Sequence, residues 1–292
     1  MASSEMINIL LSTNDNYMMP TMVLMESVLD TQTAPVSFYL LWSDLKECSR
    51  AALREFAEGR GSTITFLKIA GDAFADLPTK DYISRETYFR LLAADLLPKE
   101  LDRILWLDSD MIVRGNLDGL YDMDFEGAAV IACPHGQAMR EVMDINCRNI
   151  RIEHREQYFN AGMMLCNLAR WRTMDIKERI TRILGEDLPM EFPGQDLTNL
   201  VFNGSVKCED YIRYNCMIHS IADKDTYDRA KEEAVIVHFV GRAKPWVFYD
   251  LYFADEFDVY YGRTPYGEKA LNRKSYFFMK KLYEMRERTR KD

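Results

Sequence analysis

Short apolar runs alternate with longer amphipathic segments over the first hundred residues. Ile7 to Ser12, Val36 to Trp42 and Ile64 to Ile69 are rich in β-branched and aromatic residues. Between the last two, Leu45 to Glu58 carries apolar positions at Leu45, Cys48, Leu53 and Phe56, a helical spacing, with Ser43 or Asp44 expected to cap the helix and Gly59 to end it. This rhythm predicts βαβ units and a mainly parallel α/β sheet flanked by helices. Thr87 to Leu97 reads as a further helix stopped by Pro98, and Ile104 to Leu107 as a buried strand. Later strands are expected at Ala129 to Cys133, Gly162 to Cys166 and Val235 to Phe239.

The pattern places Asp108 and Asp110 where the Ile104 to Leu107 strand gives out. In open parallel sheets, ligands bind beyond the carboxyl ends of the strands. Ile7 to Ser12 ends in Asn14, Asp15 and Asn16, and so opens onto the same edge. Two carboxylates one residue apart can hold a hard divalent cation while leaving positions open for phosphate oxygens. An isolated D-x-D is common in solvated turns; the apolar strand before this one is what favours a ligand, because charge is seldom placed there without a partner. His238, after Val235 to Val237, is a candidate third ligand, and Lys244 a candidate phosphate-facing cation. Each also has a structural reading, as a satisfied core histidine and a surface lysine.

Composition narrows the function further. The 292 residues suffice for one large core with an extension, and 48% hydrophobic residues describe a folded chain. A net charge of −9 argues against nucleic acid as a partner, which needs a broad positive field. The six cysteines contain no C-x-x-C pair and no zinc spacing with the four histidines, and are read as reduced thiols. Met1 to Pro20 lacks the pattern of a secretory leader, and no stretch reaches about 18 uncharged apolar residues, so a cytoplasmic location is expected. From Gly267 to Asp292 the charge reverses, with nine lysines and arginines against four acids among apolar positions. A basic amphipathic helix of this kind can touch an anionic membrane surface, or simply dock on the core. The expected division is a catalytic domain over residues 1–250 and an extension over 251–292.

The run Trp106-Leu107-Asp108-Ser109-Asp110-Met111-Ile112-Val113-Arg114-Gly115-Asn116-Leu117, followed by Leu120-Tyr121, resembles the signature of glycosyltransferase family 8, which includes bacterial lipopolysaccharide galactosyl- and glucosyltransferases. Asn14 to Tyr17, Thr87 to Leu91, Phe159 to Gly162, Gln195-Asp196 and His238 to Trp246 agree in order and spacing. The resemblance spans roughly residues 6 to 250 and implies a GT-A (Rossmann-like) fold, a UDP-sugar donor, Mn²⁺ with Mg²⁺ as the alternative, a glycan or glycolipid acceptor, and retention of anomeric configuration.

By position, the resemblance implies that Asp108, Asp110 and His238 ligate the metal. Ser12, Asn14 and Asn16, beside Tyr17, would line the uridine and ribose site. Arg90 and Ser109 would reach the donor, Gly241 and Lys244 would hold the diphosphate, and Asn160, with Ala161 and Gly162, would border the donor sugar. Gln195 would lie near the reacting carbon, with Asp196 and Lys244 completing the catalytic set. Two positions depart from the family: Gly194 stands where many members have an acid, and His135 where some carry an aspartate. Both remove a carboxylate from the sugar pocket, which leaves donor identity open and favours front-face displacement over a covalent nucleophile. Two rivals remain at this level. One is a catalytically silent UDP-sugar-binding protein. The other is a haloacid-dehalogenase-like phosphatase, which places D-x-D on its first strand, whereas three strands are expected here before Asp108.

Overall fold

The computed structural model describes residues 6–69, 89–248 and 250–267. Its main sheet has seven strands in the order β3-β2-β1-β4-β7-β6-β8: β1 Ile7–Ser12, β2 Val36–Trp42, β3 Thr63–Lys68, β4 Arg103–Leu107, β6 Val130–Pro134, β7 Phe159–Asn167 and β8 Val206–Cys208. Pairing is parallel except that β7 runs antiparallel to both neighbours, β4 and β6. A second sheet has three strands, β5 Met111–Val113, β10 Ile236–His238 and β9 Cys216–Met217.

The central strands are continuous apolar runs because both faces of the sheet are covered. On β4, Ile104 and Trp106 join one core while Leu105 and Leu107 join another, as a period of two requires. The longer helices are α1 Met18–Thr31, α2 Glu47–Gly59, α3 Arg140–Asn149, α4 Ile176–Gly185, α5 Pro193–Phe202, α6 Lys224–Glu233 and α7 Ala254–Gly262. Helix α1 is buried without interruption from Met18 to Val28, apart from the half-buried Met19, and includes Glu26, whose charge is met by Arg60. A third core, containing Phe239 and Phe257, binds the small sheet to α7.

The expected elements appear, with one correction at the start of α2. Helix α2 begins after Lys46, and neither Ser43 nor Asp44 caps it; Asp15, from the loop after β1, accepts from Lys46 N at 3.4 Å and Ser49 Oγ at 2.7 Å. A tertiary acceptor has replaced the local cap. Gly59 is the last helical residue, but Gly61 takes the left-handed conformation (φ 73°). The Val235 to Phe239 run forms the expected strand, β10, and lies in the small sheet. Of the Thr87 to Leu97 helix, Phe89 onward is helical with a turn at Leu92; Thr87 and Tyr88 lie outside the described residues. So does the basic segment beyond Gly267. Among the described residues no helix is long and apolar enough to cross a membrane, and all six cysteines are unpaired.

Candidate active site

The carboxyl ends of β1 and β4 are neighbours because the two strands pair in parallel, which brings Ser12 and Asn14 beside Asp108-Ser109-Asp110. Short hydrogen bonds tie the two loops. Ser109 Oγ donates to Ser12 O at 2.9 Å and accepts from Thr21 Oγ1 at 3.1 Å. Asn14 shapes its own loop by accepting from Asn16 N at 3.0 Å. The acidic turn is pinned at both ends, since Asp108 N donates to Gly162 O of β7 at 2.8 Å and Asp110 O accepts from Phe239 N at 2.9 Å.

The antiparallel pairing of β5 with β10 returns His238 to this turn. Asp108, Asp110 and His238 each offer a ligand atom, and these atoms lie within 4.8 Å of one another. His238 Nε2 faces Asp110 Oδ1 at 3.2 Å, and Lys244 Nζ contacts Asp110 Oδ2. Arg90 donates to Ala161 O at 2.7 Å, lies over the Trp106 ring at 4.9 Å and approaches Asp108 Oδ1 at 3.5 Å. Trp106 Nε1 donates to the same oxygen at 2.9 Å.

The two acids are held apart electrostatically. Burial pushes the Asp108 carboxyl above its ordinary value against the pull of Arg90, and the neighbouring Asp110 charge adds to the rise. Burial acts on Asp110 too, but His238 and Lys244 outweigh it and hold that carboxyl well below the usual range. A cation shared by both acids would relieve their repulsion. Two hard carboxylates and an imidazole suit Mn²⁺ or Mg²⁺. Gly162 fits the same purpose: a Cβ there would meet His238 Cε1 at 2.4 Å and Asp108 Oδ2 at 3.0 Å, so the ligands close over bare backbone.

A cavity of about 340 Å³ is lined by Ser12, Thr13, Asn14, Tyr17, Arg90, Trp106 and the Asp108 to Asp110 turn. Asn160, Gln195 and Gly241 instead line a second cavity of about 650 Å³, together with His135 and several apolar residues. The expected donor set is thus divided between two adjoining spaces. Asn16 lines neither cavity, and Ala161 and Gly162 contribute buried backbone. Gly241 has φ 85°, a conformation suited to glycine. Asp196 is fully buried and accepts from Tyr158 Oη at 2.5 Å, Asn146 Nδ2 at 2.7 Å and Phe192 N at 2.8 Å. It therefore stands behind Gln195 rather than at a cavity wall.

Sequence reading missed Thr21, Tyr158 and Asn215, all buried polar residues touching the site. Asn215, in the short Asn215-Cys216-Met217 stretch, carries no local signal; only the pairing of β9 with β10 brings it to His238.

Residues 8–249 match the sequence profile of glycosyl transferase family 8. The lipopolysaccharide 1,2-glucosyltransferase of Escherichia coli K12 is 27% identical over 257 residues, covering 86% of this chain and 75% of that protein. General stress protein A of Bacillus subtilis is 23% identical, covering 84% and 89%. The crystal structure of galactosyltransferase LgtC with donor and acceptor sugar analogs superposes with a TM-score of 0.74 at 27% identity, covering 89% of this chain and 96% of that one. The position of D-x-D after the fourth strand, together with this match, sets aside the phosphatase reading. With a mainly parallel sheet, an acidic turn at its strand ends and a family match over most of its length, the chain belongs to glycosyl transferase family 8 and is a hexosyltransferase of GT-A fold.

Proposed function

We propose that the protein transfers a hexose from a UDP-sugar to a glycan or lipopolysaccharide-type acceptor, with retention of anomeric configuration and dependence on Mn²⁺. The observation that carries this reading is the Asp108, Asp110 and His238 triad at the edge of a polar cavity. Relatives that act on lipopolysaccharide support the acceptor class.

Asp108, Asp110 and His238 would hold the metal, which supplies positive charge to the diphosphate as the glycosidic bond breaks. Ser12, Asn14 and Tyr17 line the cavity assigned to uridine and ribose, and Arg90, fixed by Ala161 O, presents its guanidinium to the donor. Lys244 adds a second positive charge once its ammonium turns from Asp110 to a phosphate oxygen. Asn160 and Gln195 border the sugar, with the acceptor entering the larger cavity. The acceptor hydroxyl attacks the anomeric carbon on the face that the diphosphate leaves, and its proton passes to the departing phosphate oxygen. The protein contributes position and charge. Two observations favour this route over a covalent intermediate: Gln195 is a poor nucleophile, and Asp196 is fully buried with both oxygens engaged. A structure of LgtC carrying glutamate in place of an active-site glutamine shows that a glutamine serves in that relative's active site.

Asp110→Ala tests the whole assignment. UDP release from the donor should fall by about 10³-fold, a loss of several kcal/mol of charge stabilisation. Undiminished turnover that no longer needs metal would end the proposal.

A further inference from the structure

One hydrogen-bond chain runs through the site, and its direction follows from a backbone group. Gly162 N–H can only donate, and it lies 3.1 Å from Asn160 Oδ1. Asn160 therefore turns its Nδ2 to Gln195 Oε1, at 3.1 Å. That leaves Gln195 Nε2 to donate to Tyr158 Oη at 2.9 Å, and the phenol, accepting there, gives its own proton to Asp196 Oδ1 at 2.5 Å. Asp196 is anchored in turn by Phe192 N at 2.8 Å.

The same logic runs the other way. Asn160 Oδ1 also accepts from Asn215 Nδ2 at 3.1 Å, so Asn215 Oδ1 is the atom that meets His238 Nδ1 at 3.0 Å. An amide oxygen only accepts, so Nδ1 of His238 carries a proton, which leaves Nε2, the nitrogen facing Asp110, as the one whose lone pair a metal would take. Asn215 and Asp196 are fully buried and Tyr158 nearly so. At the buried Asn215 and Asp196 an unmade bond would be costly.

We propose that Asn215, Tyr158 and Asp196 are positioning residues: one polarised chain fixes the metal-binding tautomer of His238 at one end and the orientation of the Gln195 amide at the other. Gln195 thereby presents its carbonyl oxygen beside Asn160 and His135, on the wall of the larger cavity, and turns its nitrogen away to Tyr158. His135 completes the arrangement, its Nε2 lying 3.2 Å from Gln195 Oε1. The inference rests on the reading of His238 as a metal ligand and of Gln195 as bordering the reacting carbon.

The test uses the full chain, with Mn²⁺ binding followed by electron paramagnetic resonance without donor, and UDP release followed separately. Asn215→Ala removes the acceptor for His238 Nδ1–H and should weaken Mn²⁺ binding by about 10- to 100-fold. Asn215→Asp keeps an acceptor for His238 but sets a carboxylate against Asn160 Oδ1. Mn²⁺ binding should then survive, while repulsion displaces Asn160 and with it Gln195, and lowers kcat by about 10-fold or more at little changed donor KM. Tyr158→Phe, nearly isosteric, should leave Mn²⁺ affinity intact and lower kcat by about 10-fold. A purely structural role predicts instead that kcat, KM and Mn²⁺ affinity decline together with the thermal midpoint. Equal Mn²⁺ affinity in Asn215→Ala and the parent chain, or an unchanged kcat in Tyr158→Phe, overturns the inference. A parent chain that binds no Mn²⁺ defeats the metal reading first and this inference with it, and that result is distinct because it precedes any substitution.

Discussion

The two cavities, one bordered by Asp108 and the other by Asn160, are built on different principles. The smaller is walled by groups at strand ends, Ser12, Asn14, Asp108 and Asp110, with Arg90 and Trp106 behind them. The larger is walled mainly by apolar side chains from separate segments, among them Met139, Met143, Phe192, Ile218 and Leu251. On the proposed reading the smaller cavity takes a nucleotide diphosphate, which demands charge at fixed points, and a sheet edge with a network of hydrogen bonds would supply it. The larger cavity, proposed for the acceptor, draws its walls from loops, which can change at little cost to the core. The difference teaches that the strand-end cavity is tuned by charge and the larger one by apolar packing.

His135 stands on the wall of the larger chamber and offers the strongest way to sharpen that contrast. Burial pushes its imidazole down to about 4 from an ordinary 6.5, with the Gln195 hydrogen bond opposing and the neighbouring His219 and His238 adding to the fall. Because the folded value lies below the unfolded one, the unfolded chain takes up the proton first as pH drops. Stability from this group is full above about pH 6.5 and is lost progressively toward pH 4, by about 3 kcal/mol in all. His219 is shifted the same way by burial, so a variant is needed to isolate the effect. His135→Gln keeps a donor for Gln195 and should flatten the acid limb of unfolding free energy against pH by that amount. Parallel limbs in the two proteins would mean that water already reaches this side of the chamber.

The same contrast explains what the chain could disclose before it was folded. Donor-edge residues fall in contiguous motifs because one strand end supplies several of them at once: Asp108, Ser109 and Asp110 follow β4, and Asn14 to Tyr17 follow β1. The strands themselves were legible, since burial on both faces leaves apolar runs such as Ile104 to Leu107. Asn215 and Tyr158 were hidden, being single polar residues in unrelated segments that meet only through strand pairing and the α5 contact. The start of α2 was misplaced for a like reason, because its cap comes from Asp15, some thirty positions earlier. The division of Asn160 and Gln195 from the cavity of Ser12, Asn14 and Asp108 was equally beyond the sequence, as position in a motif carries no distance.

Gly162 lies between Asn160 and Asp108, and the next effect in size is expected there. The added methyl of Gly162→Ala would press on His238, which is buried and held by Asn215, and on the Asp108 carboxylate. Neither neighbour can retreat without leaving its partners, so Mn²⁺ affinity should drop by about 10- to 100-fold, comparable to losing a group that orients a ligand. Titration of Mn²⁺ by electron paramagnetic resonance reads this directly. An unchanged affinity would show that the metal edge yields as readily as the apolar chamber.

The smallest expected effect belongs to the chamber itself. Leu251 lines it half-buried, and Tyr252, 42% exposed, packs its ring 4.5 Å from Tyr227. Truncating either to alanine removes apolar surface that an acceptor would cover but touches no donor group. About 1 kcal/mol of lost burial corresponds to a rise of about fivefold in acceptor KM. The probe is a set of octyl hexosides offered as acceptors, with donor hydrolysis in their absence as the control. Both variants should show the higher KM with unaltered hydrolysis and Mn²⁺ affinity. If hydrolysis falls in step with acceptor use, the two cavities act as one electrostatic unit, and the apolar wall is part of the donor site.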